Sequence, residues 1–211
     1  MKTLFLAAFM LMACGAVAAE KSAPKHEPIL NAPCDGCEWI FEGMPDSLVW
    51  SARIAPANEF GEPMQINGVV RDKAGKPVKG VVVYTYHTNA QGVYPRDSAH
   101  SNVRHGRLRG WARTDALGRY RFDTIRPAGY PNTDIPVHVH MQVLEPGCCE
   151  YTIDEILFDD DPRLTRKKRE QESHGMGGNG IVHPVRDATG VWQVTRDIVL
   201  GQNVPGYSKD R

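Results

Sequence analysis

The triplet His138-Val139-His140 is where this chain could most readily do chemistry. On a strand, residues two apart point to the same face about 7 Å apart along the chain, near enough for two imidazoles to converge on one ion. Val137, Val139, Met141 and Val143 would then take the opposite face and fill a core, leaving His138, His140 and Gln142 together. Two tyrosines stand where strands give way to loops, the places where sites are usually built. Tyr94 ends Thr88-Asn89-Ala90-Gln91-Gly92-Val93-Tyr94, and Tyr130 ends Thr124-Ile125-Arg126-Pro127-Ala128-Gly129-Tyr130 with Pro131 behind it. Taken singly, the histidines read as surface or satisfied imidazoles, and each tyrosine as a core-capping ring with its hydroxyl bonded to backbone.

The cysteines are a second reactive set. Beyond Cys14 the chain has Cys34, Cys37, Cys148 and Cys149, and four cysteines allow three pairings. Joining the adjacent Cys148 and Cys149 strains the usual dihedral. With all four oxidised, the expectation is therefore that Cys34 and Cys37 bridge to the 148–149 loop and pin an N-terminal arm. A local Cys34–Cys37 bridge with two free thiols is the other reading, and the vicinal pair suits a zinc site poorly.

The elements that must position these residues read as strands. Residues 65–70 alternate, Lys73-Ala74-Gly75-Lys76 signals a turn, and 78–87 is rich in β-branched and aromatic residues. Residues 119–125 alternate again, and 135–144 and 191–200 are further strand candidates. This spacing predicts an all-β chain, a β-sandwich of Ig-like or Greek-key type with long loops and an N-terminal arm. The 20 glycines and 15 prolines fit that architecture. Between 164 and 180, the charged run around Arg166-Lys167-Lys168-Arg169 predicts a short surface helix, and the glycines from 175 to 180 a mobile loop. With 25 basic and 25 acidic residues the net charge is zero, and no aromatics interleave with the basic run, so a nucleic-acid partner is not expected.

Residues 1–19 predict an export signal: Lys2 supplies the positive start, 4–13 an apolar run too short to span a membrane, and Ala16-Val17-Ala18-Ala19 the small residues for cleavage. Cys14 after Leu11-Met12-Ala13 resembles a bacterial lipoprotein box, which would tether the protein through a lipid at Cys14; plain cleavage is preferred. The expectation is an exported protein, periplasmic or secreted, with a membrane tether as the variant reading. The chain then divides into the signal, an arm over 20–63 carrying Cys34 and Cys37, a sandwich over 64–205 and a tail over 206–211.

Over roughly 64–162 the sequence resembles the intradiol ring-cleavage dioxygenases, a non-haem iron family that includes catechol and protocatechuate dioxygenases. The resemblance rests on Gly68-Val69-Val70-Arg71-Asp72 with Gly75-Lys76-Pro77-Val78, on residues 83–94, on Thr114-Asp115-Ala116-Leu117-Gly118-Arg119-Tyr120-Arg121-Phe122, on Ile135-Pro136-Val137-His138-Val139-His140 and on Phe158-Asp159-Asp160-Asp161-Pro162. It implies that Tyr94, Tyr130, His138 and His140 bind Fe3+, that Tyr130 is the ligand that leaves when substrate binds, and that a diphenol reacts with O2 to give a muconate-type diacid. Ferric iron is a hard acid that favours phenolate oxygens, and coordination removes the phenol proton. Two phenolates, one hydroxide and two neutral imidazoles neutralise the ion.

Two positions depart from the family pattern. Ile135 stands where these enzymes carry an arginine, and Glu155 where they carry a glutamine, a carboxylate that would repel an anionic substrate unless protonated or paired. Arg109, Arg113 and Arg126 are the candidates to supply the missing charge. The competing expectation is a non-catalytic exported binding module, because residues 68–122 also resemble carboxypeptidase regulatory-like and carbohydrate-binding sandwiches. Such modules need neither the second tyrosine nor the paired histidines. The oligomeric state is open, a homo-oligomer included.

Overall fold

The computed structural model describes residues 28–31, 36–99 and 104–208; the expected export signal, Cys14 and Cys34 lie outside them. Strand β1 (Ser51–Arg53) precedes β2 (Pro63–Arg71), whose alternation is borne out: Met64, Ile66, Gly68 and Val70 are buried and Gln65, Asn67 and Val69 between them are not. The chain then crosses to a second sheet for the hairpin β3 (Val82–Tyr86) and β4 (Arg109–Arg113), and returns as β5 (Arg119–Ile125) to pair antiparallel with β2. Phe122 faces Ile66 and Tyr120 faces Gly68 across that pair. Gly68 must be glycine, since a Cβ there would stand 2.1 Å from the Arg196 carbonyl oxygen and 2.6 Å from the Tyr120 ring.

A second crossing gives β6 (His138–Glu145) and β7 (Cys149–Phe158), an antiparallel pair beside β3. Helix α1 (Arg166–Glu172), capped by the Thr165 hydroxyl, is the expected surface helix. After β8 (Ile181–Val182) and β9 (Val185–Arg186), the expected strand over 191–200 forms as two pieces, β10 (Trp192–Thr195) and β11 (Ile198–Val199). Arg196 interrupts it by turning inward, where it is 1% exposed. The sheets run β1-β5-β2-β10-β9, with β11 also on β2, and β4-β3-β6-β7-β8. Their facing surfaces enclose one apolar core that includes Ile66, Phe122, Val139, Val143, Tyr151 and Ile156. This is the predicted all-β sandwich.

Two expectations need correction. The 148–149 loop does not take the expected bridge from the arm: Cys148 and Cys149 pair with each other in the turn between β6 and β7, Cys37 is also disulfide-bonded, and the part of the expectation that falls on Cys34 lies outside the described residues. The arm needs no sulfur there because it docks as backbone. Leu30 N–H donates to the Glu150 carbonyl at 2.7 Å and Glu150 N–H to the Pro28 carbonyl at 2.9 Å, adding a short parallel segment to β7. The glycine-rich stretch is tied rather than loose. Gly175 N–H bonds the Asp154 carboxylate at 2.7 Å, and Gly177 N–H bonds the Gln202 carbonyl at 2.9 Å.

Candidate metal centre

Strand β6 sets the histidines as its pattern requires. Val139 and Met141 point into the core, and His138 and His140 share the outer face with ring centroids 4.7 Å apart. Each imidazole is oriented by its far nitrogen: His138 Nδ1 lies 2.8 Å from the Pro136 carbonyl oxygen, and His140 Nδ1 lies 2.5 Å from Glu155 Oε1. Those partners leave both Nε2 lone pairs turned toward the site, as outer partners commonly do for metal-binding histidines.

Glu155 reaches His140 because β7 carries a bulge. Val139 pairs with Ile156 and Met141 with Ile153, so Asp154 and Glu155 together face the single residue His140. A bulge is a device that re-aims a side chain. Burial opposes the Glu155 charge, but the hydrogen bond from His140 and the charges of His140 and His138 outweigh it and hold the carboxyl below its ordinary value. The carboxylate is therefore paired, and its repulsion of an anion is softened rather than removed.

The tyrosine loops lean on one another. Gly92 has φ +75°, and a Cβ there would stand 2.1 Å from the Gly129 carbonyl oxygen. Thr88 Oγ1 donates to the Ala128 carbonyl at 2.6 Å, and Ala128 N–H to the Asn89 carbonyl at 3.1 Å. Beneath them His87 is fully buried, its ring bonded to Thr88 O and Thr124 Oγ1, the two chain points from which the loops depart. Burial lowers its pKa to about 4, so it stays neutral there. Sequence reasoning missed His87, which nothing in its local pattern separates from a surface histidine.

The four expected side chains meet. Tyr94 Oη lies 2.7 Å from Tyr130 Oη and 2.8 Å from His140 Nε2, and Tyr130 Oη lies 3.2 Å from His138 Nε2. Burial, then the neighbouring phenol, raises the Tyr94 pKa, and burial raises that of Tyr130, so without a cation both hold their protons at neutral pH. Two oxygens and two nitrogens at these separations could hold a metal. For bonds of about 2 Å, adjacent corners of a coordination shell stand about 2.8 Å apart at right angles and about 3.3 Å apart in a tetrahedron. His138, His140 and Glu155 also offer ligand atoms within 4.8 Å of one another.

None of the three candidate arginines is bonded to this group. Arg109 binds the Glu42 carbonyl and Asp97, Arg113 the Gly80 carbonyl, and Arg126 Asp160. Ile135 is 43% exposed beside the start of β6. The cation that packs against a tyrosine loop is Arg163, whose Nη1 is buried, without a hydrogen-bond partner, and fills the space a Gly129 side chain would take. Sequence reasoning missed it too, because only the fold brings it against Gly129.

Residues 49–171 match the dioxygenase family model. Catechol 1,2-dioxygenase 1 of Acinetobacter lwoffii is 30% identical over 187 residues, covering 72% of this chain and 60% of the relative. The protocatechuate 3,4-dioxygenase beta chain of Burkholderia cepacia is 34% identical over 141 residues, covering 63% and 59%. The chain thus spans about 60% of the length of these curated relatives. Among solved structures, catechol 1,2-dioxygenase from Pseudomonas arvilla C-1 superposes with a TM-score of 0.57 at 26% identity, covering 78% of this chain and 60% of that one. The dioxygenase domain of a carbohydrate-binding fusion protein from Streptomyces sp. SirexAA-E shares the fold at TM-score 0.55 and 22% identity, covering 75% and 94%. The family match spans both tyrosine loops, the paired histidines and the bulge behind them, and the chain belongs to the intradiol ring-cleavage dioxygenase family.

Proposed function

We propose that this protein is an exported ferric dioxygenase that opens a catechol-type ring between its two hydroxylated carbons with O2, giving a muconate-type diacid. The observation that carries the reading is the convergence of Tyr94, Tyr130, His138 and His140 through contacts of 2.7–3.2 Å, with both imidazoles oriented from behind. Two phenol oxygens and two imidazole nitrogens fit a hard trivalent cation, and such an ion, when bound, would supply the Lewis acidity that prepares a diphenolate for O2.

The chain's own residues divide the remaining work. Tyr94 Oη is held by two partners, Tyr130 and His140, whereas Tyr130 Oη has Tyr94 and a longer contact to His138. Tyr130 is thus the freer phenol, and as the phenolate that a bound cation would create it would be the group suited to take a diphenol proton on Oη. Ile135 in place of an arginine, with Glu155 beside His140, disfavours substrates that carry extra negative charge. The reading is of a larger or less acidic diphenol.

Iron-loaded protein is expected to show a visible tyrosinate-to-ferric absorption band that shifts on adding a catechol and is lost or strongly altered in Tyr94→Phe. Oxygen uptake across a panel of diphenols should accompany formation of a diacid. Stoichiometric iron binding with no such band in the wild type would refute the assignment.

Glu155→Gln keeps a hydrogen-bonding group beside His140 but removes its charge. Iron affinity is expected to fall about 10–100-fold, with the band displaced, because a neutral partner makes the imidazole a weaker donor. A competition titration with a chelator measures this, and an unchanged affinity would show that the charge of Glu155 does not strengthen His140 as a ligand.

A further inference from the structure

Two aromatic rings are stacked behind His140. Tyr86 of β3 lies directly opposite His140 of β6 in the sheet register, and their rings stack with centroids 4.3 Å apart and planes 17° apart. His105, from the segment leading into β4, stacks on Tyr86 at 3.6 Å and 6°. Two near-parallel rings that close to one centroid cannot share a face without overlapping, so the phenol is sandwiched between the imidazoles. We infer that Tyr86, braced by His105, is a positioning residue that fixes the ring plane of His140 before any ion arrives. Its consequence for iron affinity rests on His140 being a ligand, as proposed.

The Nε2 lone pair lies in the plane of the imidazole, so a tilt of that plane swings it off an ion. A hydrogen bond at Nδ1 holds one edge of the ring and lets the plane rock about it. Glu155 supplies that edge contact to His140, and the flat face of Tyr86 supplies the restraint against rocking. His138 is met differently, edge-on by Tyr130 at 75° and by His140 at 78°. The two imidazoles are therefore not equivalent: His140 is held at an edge and a face. An imidazole that gives its lone pair to a cation also becomes electron-poor, and the face of a phenol attracts such a ring.

The far end of the stack is anchored. His105 is buried, and its Nδ1 lies 2.8 Å from the hydroxyl of Tyr84, which is buried as well. The 3-10 turn Cys37–Ile40 brings Trp39 edge-on against His105, with centroids 5.0 Å apart and planes at 80°. Arg107 N–H donates to the Pro95 carbonyl at 2.9 Å, which ties the turn carrying His105 to the chain just after Tyr94. Ile40, Val82, Tyr84 and Leu144 form a small second apolar cluster on this outer face of the sheet, and Tyr86 packs against it. The N-terminal arm thus braces the candidate metal centre from behind, through rings locked by packing and hydrogen bonds, which is how a site is held ready for its ligand.

The first readout needs neither iron nor a diphenol. Proton NMR of the metal-free full chain is expected to show the His140 ring protons displaced upfield by the Tyr86 ring current. The displacement should persist in Tyr86→Phe, which keeps the ring, and be lost in Tyr86→Leu. His105→Asn, whose amide oxygen keeps an acceptor near Tyr84, should reduce it. Chelator competition then reads the consequence: iron affinity should fall about tenfold or more in Tyr86→Leu and stay within about threefold of the wild type in Tyr86→Phe. Absence of the displacement in the wild type overturns the proposal without any variant. So does a folded Tyr86→Leu that binds iron as tightly as the wild type, and a displacement unchanged in His105→Asn removes His105 from the brace. A wild type that binds no iron would sink the ring-cleavage reading instead, and the imidazole signals would still decide whether Tyr86 fixes His140.

Discussion

Arg196→Met is expected to lower the free energy of unfolding by ~3–5 kcal/mol, measured by equilibrium urea denaturation. The guanidinium is 1% exposed and feeds four carbonyls: Gly177 at 3.1 Å, Asp197 at 2.7 Å, Asp154 at 3.3 Å and Met176 at 3.2 Å. Burial lowers its pKa, but an arginine stays charged even so. Methionine preserves much of the volume and supplies no donors, so the Asp197 and Asp154 carbonyls lose their arginine donors, while the Gly177 and Met176 carbonyls each keep one backbone donor, Val199 N–H and Asp154 N–H. The damage would spread, because the same carbonyls fix the 175–178 segment against β7 beside the bulge. Arg196→Lys should recover less than half of the loss, since a single ammonium cannot span four acceptors arranged for a planar fork. A loss below about 1 kcal/mol for the methionine variant would mean that water reaches these carbonyls and that the buried cation is not the brace described.

Arg196 also illustrates where the sequence was legible and where it was not. Strands with one wet face were readable from alternation alone: β2, β5 and β6 formed within three residues of the expected bounds, and His138 and His140 share a face for that reason. The loops holding Tyr94 and Tyr130 were readable as strand ends. What eluded the pattern were the places where polar groups go inward. Strand β4 is bounded by Arg109 and Arg113 and contains Gly110, and β7 carries Glu150, Asp154 and Glu155, so neither reads as a strand from apolar pattern. The bulge is invisible for the same reason: an acidic pair in a strand gives no sign that two residues will oppose one. The cysteine pairing failed on a local matter, since the arm reaches β7 through backbone hydrogen bonds and leaves Cys148 and Cys149 to each other. The arginine problem failed on a distant one, because Arg163 meets Gly129 only after the chain has crossed between sheets.

The arm that docks on β7 also makes stability depend on pH. Glu150 is 0% exposed, bracketed by backbone bonds to Pro28 and Leu30, and neither carboxyl oxygen has a hydrogen-bond partner. Burial, with the charge of Glu38 adding to it, raises its pKa from 4.5 to about 7. The folded state therefore keeps its proton longer than the unfolded state. Below about 4.5 both are protonated and nothing is lost; as pH rises toward 7 the unfolded chain gains from ionising and the folded chain does not. At 1.36 kcal/mol per unit, stability should fall by about 3 kcal/mol across that window. His87 acts in the opposite sense. Its folded pKa near 4 lies below the ordinary 6.5, so its contribution is complete above 6.5 and fades as pH falls toward 4. The two slopes oppose each other in the wild type and hide in a shallow profile. Glu150→Gln separates them, since subtracting the two profiles cancels the His87 contribution. The stability of the glutamine variant relative to the wild type should rise by about 3 kcal/mol between roughly pH 4.5 and pH 8, read from urea unfolding at each pH. A difference that stays flat across that range would mean that Glu150 is ionised in the folded protein and that water or a cation reaches it beneath the arm.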